Sequence, residues 1–268
     1  MYSSTNNLFL VDKNKAAKLM LYHIVVRRDA KYKTTNYFRS LLLYTMNREQ
    51  LALYQPLHVF DELLFNGVVD DLVEKGYSIQ TSALPAFLTD ALLTCQDAIN
   101  DTEYKKAGIG RAGDFQHARD IRGDNICWIT GSSQEGELWL SWCNALKDFI
   151  NKHLYLGLFS FESHFASYEP GKFYKRHVDA FKGKSNRVLS LVAYLNEDWN
   201  SNYGGELVLY KDNNDAEGIR VVPNLGTFVV FLSEQFPHEV LPATHKRNSV
   251  AGWYRVNGSV NDVIDPPR

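Results

Sequence analysis

Arg187-Val-Leu-Ser-Leu-Val-Ala-Tyr-Leu-Asn196 is apolar and rich in β-branched residues, and it reads as a buried strand. Similar segments follow: Gly204-Gly-Glu-Leu-Val-Leu-Tyr210, Pro223-Asn-Leu-Gly-Thr-Phe-Val-Val-Phe-Leu-Ser233, Pro237-His-Glu-Val240 and Arg247-Asn-Ser-Val-Ala-Gly-Trp253. From Leu156 onward nearly everything is strand and turn. The chain ahead of Leu156 is mostly helical in pattern. Leu57, Phe60, Leu63, Leu64, Val68 and Leu72 recur at three- and four-residue spacing and predict an amphipathic helix over about 57–75, with Gly76 as its stop. Tyr77 to Thr81 and Asp124 to Ile129 predict short strands. Pro85 opens a second helix carrying Phe87, Leu88, Ala91, Leu92, Cys95, Ala98 and Ile99 on one face. A third covers Glu135 to His153, with Leu138, Trp142, Leu146, Phe149 and Ile150 inward. Helices stacked on one side of a run of strands predict an α+β fold, a jelly roll buttressed by N-terminal helices, with its core at about 156–257.

Just ahead of the deciding strand stands Tyr168-Glu-Pro-Gly-Lys-Phe-Tyr-Lys-Arg-His-Val-Asp179, a turn at Pro170 and Gly171 leading into another strand. Two residues apart on extended backbone, His177 and Asp179 face the same side. With His238 brought in by the fold they form a 2-His-1-carboxylate facial triad, which leaves coordination positions open and suits non-haem Fe(II). A lone His-x-Asp is a weak signal, more often a surface pair than a metal site; its setting is what strengthens it. Arg247, nine residues past His238, is a cation able to grip a carboxylate with two hydrogen bonds. His153, His164 and His245 have no carboxylate two residues on and read as ordinary residues.

This ordered set, over about residues 77–257, resembles the prolyl 4-hydroxylase branch of the Fe(II)/2-oxoglutarate oxygenases. Asp120-Ile-Arg-Gly-Asp-Asn-Ile-Cys-Trp-Ile129 is similar to a segment of the hypoxia-inducible-factor-type prolyl hydroxylases and their bacterial relatives. The resemblance implies a double-stranded β-helix, with Fe(II) held by His177, Asp179 and His238. It implies 2-oxoglutarate and O₂ as cosubstrates, succinate and CO₂ as products, and L-ascorbate as a reductant. Arg247, selected over its neighbour Lys246 by the family spacing from His238, would pair with the distal carboxylate of 2-oxoglutarate. Tyr194 would contact the same carboxylate through its hydroxyl, against a plain reading as a half-buried aromatic. Tyr168 matches a tyrosine near the metal, and Trp253 a pocket tryptophan. Arg122, Asp124 and Arg187 match residues lining the substrate cleft, and an Asp124–Arg187 ion pair could hold the loop against the metal strand. Ala251 departs from the mammalian pattern, which has threonine there.

The implied substrate is a prolyl residue exposed on a protein, elongation factor Tu-like by analogy with the bacterial relatives. It would enter a cleft bounded by the Gly108–Arg119 loop and the Arg122–Asp124 segment. The alternative keeps the chemistry and takes a free amino acid or small metabolite. A binding module that has lost catalysis is disfavoured by the intact triad with Arg247, and a metal hydrolase by the lack of a placed general base. Composition is ordinary for a globular protein, and the net charge of −2 announces no nucleic-acid footprint. Cys95, Cys127 and Cys143 suit neither a disulfide framework nor a zinc site, which points to a reducing cytoplasm. No membrane span or signal peptide is expected. Residues 1–55, with nine Lys/Arg and two acidic residues before Glu49, read as a basic extension dispensable for catalysis, with Met46 a second candidate start. Residues 56–268 form the dioxygenase domain.

Overall fold

A computed structural model of the chain describes residues 57–100, 102–107, 121–180, 186–257, 259–260 and 263–264. The basic extension and the Gly108–Arg119 loop lie outside the described residues. Helix α1 (Leu57–Lys75) stops at Gly76, whose φ of +77° suits glycine. It buries Phe65, Val68, Val69 and Leu72, whereas Leu63 is 81% exposed. Leu63 fits the apolar spacing but sits roughly 200° around the helix from Phe65, off the stripe that meets the core.

Strand β1 (Tyr77–Gln80) follows at once. Helix α2 (Ala86–Asp97) starts behind Pro85 and buries Phe87, Leu88, Ala91 and Leu92. Strands β2 (Lys105–Lys106) and β3 (Asn125–Trp128) lead to α3 (Gln134–Leu154). The Ser133 hydroxyl caps α3 by accepting from the Gly136 N–H at 3.0 Å, and Glu135 and Glu137 favour its positive end. Its inward face holds Trp139, Trp142, Cys143, Leu146 and Ile150. Trp139, which the spacing argument overlooked, donates its indole N–H to Ser163 at 3.0 Å.

Then come β4 (Leu158–Tyr168), β5 (Tyr174–His177), β6 (Arg187–Tyr194), a 3₁₀ turn (Ser201–Tyr203), β7 (Leu207–Leu209) and β8 (Ile219–Val221). β9 (Phe228–Leu232), β10 (His238–Val240), β11 (Arg247–Val256) and the short pair β12 (Ser259–Val260) and β13 (Val263–Ile264) complete the order. All ladders are antiparallel. The large sheet runs β1-β9-β6-β11-β4-β3-β2 and the small one β5-β10-β7-β8. Three strands of the large sheet thus precede residue 156, so the strand framework is wider than the predicted 156–257. β1 and β3 match the strands predicted at Tyr77–Thr81 and Asp124–Ile129, whereas β2, two residues long, is too short to carry a pattern.

Two apolar layers result. Leu189, Leu191, Ala193, Phe228, Val230, Val250 and Tyr254 face the helices. Ala166, Tyr168, Tyr194, Leu207, Leu209, Val229, Phe231 and Val240 fill the space between the sheets. Both faces of β6 are therefore covered, which is why its sequence shows no polar alternation.

Candidate active site

Register arranges the inner face of the large sheet in rows. Arg247 lies opposite Tyr168, Ser249 opposite Ala166 and Tyr194, Ala251 opposite His164 and Val192, and Trp253 opposite Glu162 and Ser190. Side chains of one face point into the same space because they recur every second residue.

The small sheet carries the two histidines of the candidate metal site. His177, the last residue of β5, pairs directly with His238, the first of β10. Asp179 is not on the strand, as its spacing suggested, but in the bend after it. What aims it is the Ser190 hydroxyl of β6, which donates to Asp179 Oδ2 at 2.6 Å and also meets Ser233 at 2.9 Å. No sequence motif marks Ser190. His177 Nε2 lies 3.7 Å from Asp179 Oδ1 and His238 Nε2 3.6 Å from Oδ2. One ligand atom from each residue falls within 4.8 Å of the others.

Each imidazole is oriented by its other nitrogen. His177 Nδ1 lies 2.8 Å from the Lys175 carbonyl and His238 Nδ1 3.1 Å from that of Phe236. A proton on each Nδ1 leaves a bare lone pair on each Nε2. Burial pushes the His238 imidazole down to about 4, against the pull of Asp179. Burial works to raise the Asp179 carboxyl, but the facing His238 and His177 and the Ser190 hydroxyl outweigh it and hold it well below the usual carboxylate range. At neutral pH Asp179 is a carboxylate and His238 a neutral imidazole. Lone pairs and a carboxylate turned toward one point repel unless a cation lies between them, so this donor set fits Fe(II).

Two and three rows from Ser190, at Tyr194 and Arg247, is a second incomplete arrangement. Arg247 is 1% exposed. Its Nε donates to the Gly205 carbonyl at 2.8 Å and its Nη1 to the Ser249 hydroxyl at 3.1 Å, while the buried Nη2 has no partner among the described residues. The Tyr194 hydroxyl is likewise buried and unpartnered. The guanidinium carbon lies 5.2 Å from the ring centres of both Tyr168 and Tyr194. Burial pushes the Tyr194 hydroxyl up to about 12, with Arg247 opposing, so it stays a donor. Burial also raises Tyr168. Among the described residues no carboxylate pairs with Arg247, and a lone buried charge costs several kcal/mol. A ligand carboxylate answers both orphaned donors, as 2-oxoglutarate would. Lys246, by contrast, is exposed and sits 3.7 Å from Glu169.

Gly205 holds this corner open. Its φ is +75°, and an added Cβ would lie 2.9 Å from the Ala243 Cβ and 3.3 Å from Arg247 Cδ. Gly205→Ala is expected to cost about 1–2 kcal/mol from backbone conformation alone, and to weaken 2-oxoglutarate binding by displacing Arg247. Thermal melting and cosubstrate titration of the variant check both effects.

At the other end of the rows the Arg187 guanidinium lies 3.6 Å from the Trp253 ring centre. The expected Asp124–Arg187 pair does not form. Arg187 reaches Glu162 at 3.2 Å, and Glu162 also accepts from Arg255 at 3.1 Å. Asp124 instead takes a two-pronged bond from Arg122, at 2.6 and 2.8 Å, and its side chain is wholly covered, so it does not surface in the cleft. Glu162, on the same strand face as Tyr168, went unnoticed because no motif marks it. His164 also belongs to this face, with its ring 5.2 Å from Trp128 and 5.5 Å from Trp253. Burial lowers its imidazole to about 4 and keeps it neutral.

A jelly roll holding a His-Asp-His donor set beside a buried, anion-seeking arginine defines a non-haem iron oxygenase that uses a 2-oxo acid. Residues 163–255 match the 2OG-Fe(II) oxygenase superfamily, and the chain belongs to that family. It is similar to a Pseudomonas putida prolyl-4-hydroxylase, at 41% identity and a TM-score of 0.64, over 72% of this chain and 100% of that one. A Trichoplax adhaerens prolyl hydroxylase, solved in complex with a hypoxia inducible factor oxygen degradation domain peptide fragment, is 28% identical, with a TM-score of 0.61, over 79% and 94% of the two chains. Egl nine homolog 1 of Homo sapiens is 30% identical over 59% of this chain and 38% of its own length. The chain spans less than half the length of the first curated relatives it matches.

Proposed function

We propose that the chain hydroxylates a prolyl residue of a protein, consuming 2-oxoglutarate and O₂ at Fe(II) and releasing succinate and CO₂. The observation that carries this reading is the combination of the inward-turned triad with the orphaned donors of Arg247 and Tyr194, which share the inner face of the large sheet. His177, Asp179 and His238 would hold the iron, which when bound supplies the O₂ activation that no side chain can perform. Arg247, Tyr194 and Ser249 orient the cosubstrate by its distal carboxylate. Tyr168, buried beside Arg247, helps exclude water from that corner. Trp253 and Arg187 form the wall next to Ser190, and hence next to Asp179. A proline ring suits such an aromatic wall, and its fixed φ lowers the ordering cost of the bound loop.

The similarity to two prolyl hydroxylases, one of them peptide-bound, supports a protein substrate over a free amino acid. An elongation factor Tu-like substrate rests on analogy alone and enters as one arm of the test. A cytoplasmic location fits three free cysteines and the absence, among the described residues, of any helix long and apolar enough to cross a membrane. L-Ascorbate is included in the assay as the reductant typical of prolyl hydroxylases. Succinate release should be stimulated by a proline-containing protein, elongation factor Tu among the candidates, with one oxygen atom gained at proline by mass spectrometry. Arg187→Ala should lower that hydroxylation about tenfold or more, the equivalent of roughly 1.4 kcal/mol of substrate contact, while sparing uncoupled 2-oxoglutarate turnover. Efficient hydroxylation of a free amino acid with none on any protein would replace this reading by the small-molecule alternative.

A further inference from the structure

The two metal-binding histidines are held very differently. His238 is 5% exposed, lies between β5 and β7, and has Phe231 edge-on at 4.8 Å. His177 ends a four-residue strand at the edge of the small sheet, with a ladder partner on one side only. Its other side is covered by residues 121–124. Lys175 N–H donates to the Ile121 carbonyl at 2.8 Å, Gly123 N–H donates to the Phe173 carbonyl at 3.0 Å, and Arg122 bridges to Tyr174. The same segment continues into β3, where Asn125 pairs with Ser167 of the large sheet. It therefore straps the edge that carries His177 to the opposite sheet.

Side chains extend the strap to the metal ligand itself. The Tyr174 ring stacks on the His177 imidazole, centre to centre 3.6 Å and 15° from parallel. The Arg122 guanidinium lies 4.7 Å from the centre of the Tyr174 ring. Asp124, fully covered, grips that guanidinium through both oxygens at 2.6 and 2.8 Å. A planar fork held by a buried carboxylate has little rotational freedom. Each layer thus limits the next, and the imidazole plane is fixed both by its stack and by its Nδ1 bond to Lys175.

We propose that Arg122 and Asp124 are a positioning pair for the metal centre, acting on His177 through Tyr174, rather than contacts to the substrate. The proposal rests on the metal-binding reading of the triad but not on the identity of the substrate. Groups that orient a metal ligand typically influence affinity by about 10–100-fold when removed.

The test uses the full chain without 2-oxoglutarate or substrate and measures Mn(II), a redox-stable probe, by titration calorimetry. Tyr174→Ala should raise the Mn(II) Kd by about 10–100-fold. Tyr174→Phe, which keeps the stack, should leave it unchanged. The double variant Arg122→Met/Asp124→Asn removes both charges together, so no lone buried charge remains, and should also weaken binding about tenfold or more. Melting of the metal-free proteins separates this from general destabilisation, which would lower Tm without altering the Kd of the folded fraction. Unchanged Mn(II) affinity in folded Tyr174→Ala overturns the proposal, as does equal weakening in Tyr174→Phe. If the double variant does not fold, the two Tyr174 variants decide. An unaltered chain that binds no Mn(II) would remove the metal site and this proposal with it. The expected Mn(II) series without prolyl hydroxylation would overturn only the substrate reading.

Discussion

Asp179→Ala should give a folded chain that no longer retains Fe(II) and produces no succinate from 2-oxoglutarate. Asp179 is the only anionic member of the donor set. Removing a direct ligand should weaken metal binding by more than the roughly hundredfold upper end seen for outer-shell partners. The fold should survive, because Asp179 sits in a bend and Ser190 keeps Ser233 as a hydrogen-bonding partner at 2.9 Å. The facing imidazoles and the Ser190 hydroxyl outweigh the burial penalty on Asp179, so the metal-free variant should melt lower at neutral pH while remaining folded. His238→Ala should lose iron as well and also melt lower, since it empties space packed against Phe231. Calorimetric Mn(II) titration and a succinate assay read both variants. Retained turnover in Asp179→Ala would show that the triad is not the metal site.

Arg247→Ala should raise the concentration of 2-oxoglutarate needed for half-maximal turnover by about 30-fold or more. Truncating one side of a buried charge pair costs about 2–5 kcal/mol, and about 1.4 kcal/mol is tenfold. Arg247→Lys restores the charge but not the fork that meets Gly205, Ser249 and the ligand, so it should recover only part of the loss. Lys246→Ala should be near neutral, because that ammonium is solvent-exposed and its 3.7 Å pair with Glu169 is a surface contact. Cosubstrate titration by calorimetry separates binding from turnover. Unchanged affinity in Arg247→Ala would contradict the assignment of this corner.

Much of this protein can be read from residue order alone. The three helices and the strand-rich second half follow from periodicity and turn signals, and His177, Asp179, His238 and Arg247 come forward as site candidates through their spacing and the family resemblance. These are local signals, carried by residues within a few positions of one another or by a set kept in strict order. Pairings were less legible. Asp124 and Arg187 looked complementary, yet Asp124 closes on Arg122, two residues away, while Arg187 turns to Glu162 across the sheet. Charge complementarity says that two groups could pair; only strand register says which two meet. Leu63 fits the three-residue spacing and still faces outward, because repeated three-residue steps drift about 60° each around the helix and carry it to the side away from Phe65.

Residue identity and order set out the candidate chemistry: side chains suited to iron, a cation suited to a carboxylate, and strands to present them. How those groups are aimed comes from the fold. Ser190 holds Asp179 across a sheet boundary, Tyr174 stacks on His177 behind the Arg122–Asp124 pair, and Arg247 and Tyr194 are left with unsatisfied donors. The reason is physical. Donor identity is a property of single residues, whereas orientation and desolvation depend on antiparallel register between segments far apart in the chain, and one residue of slip would turn every one of these side chains to the opposite face.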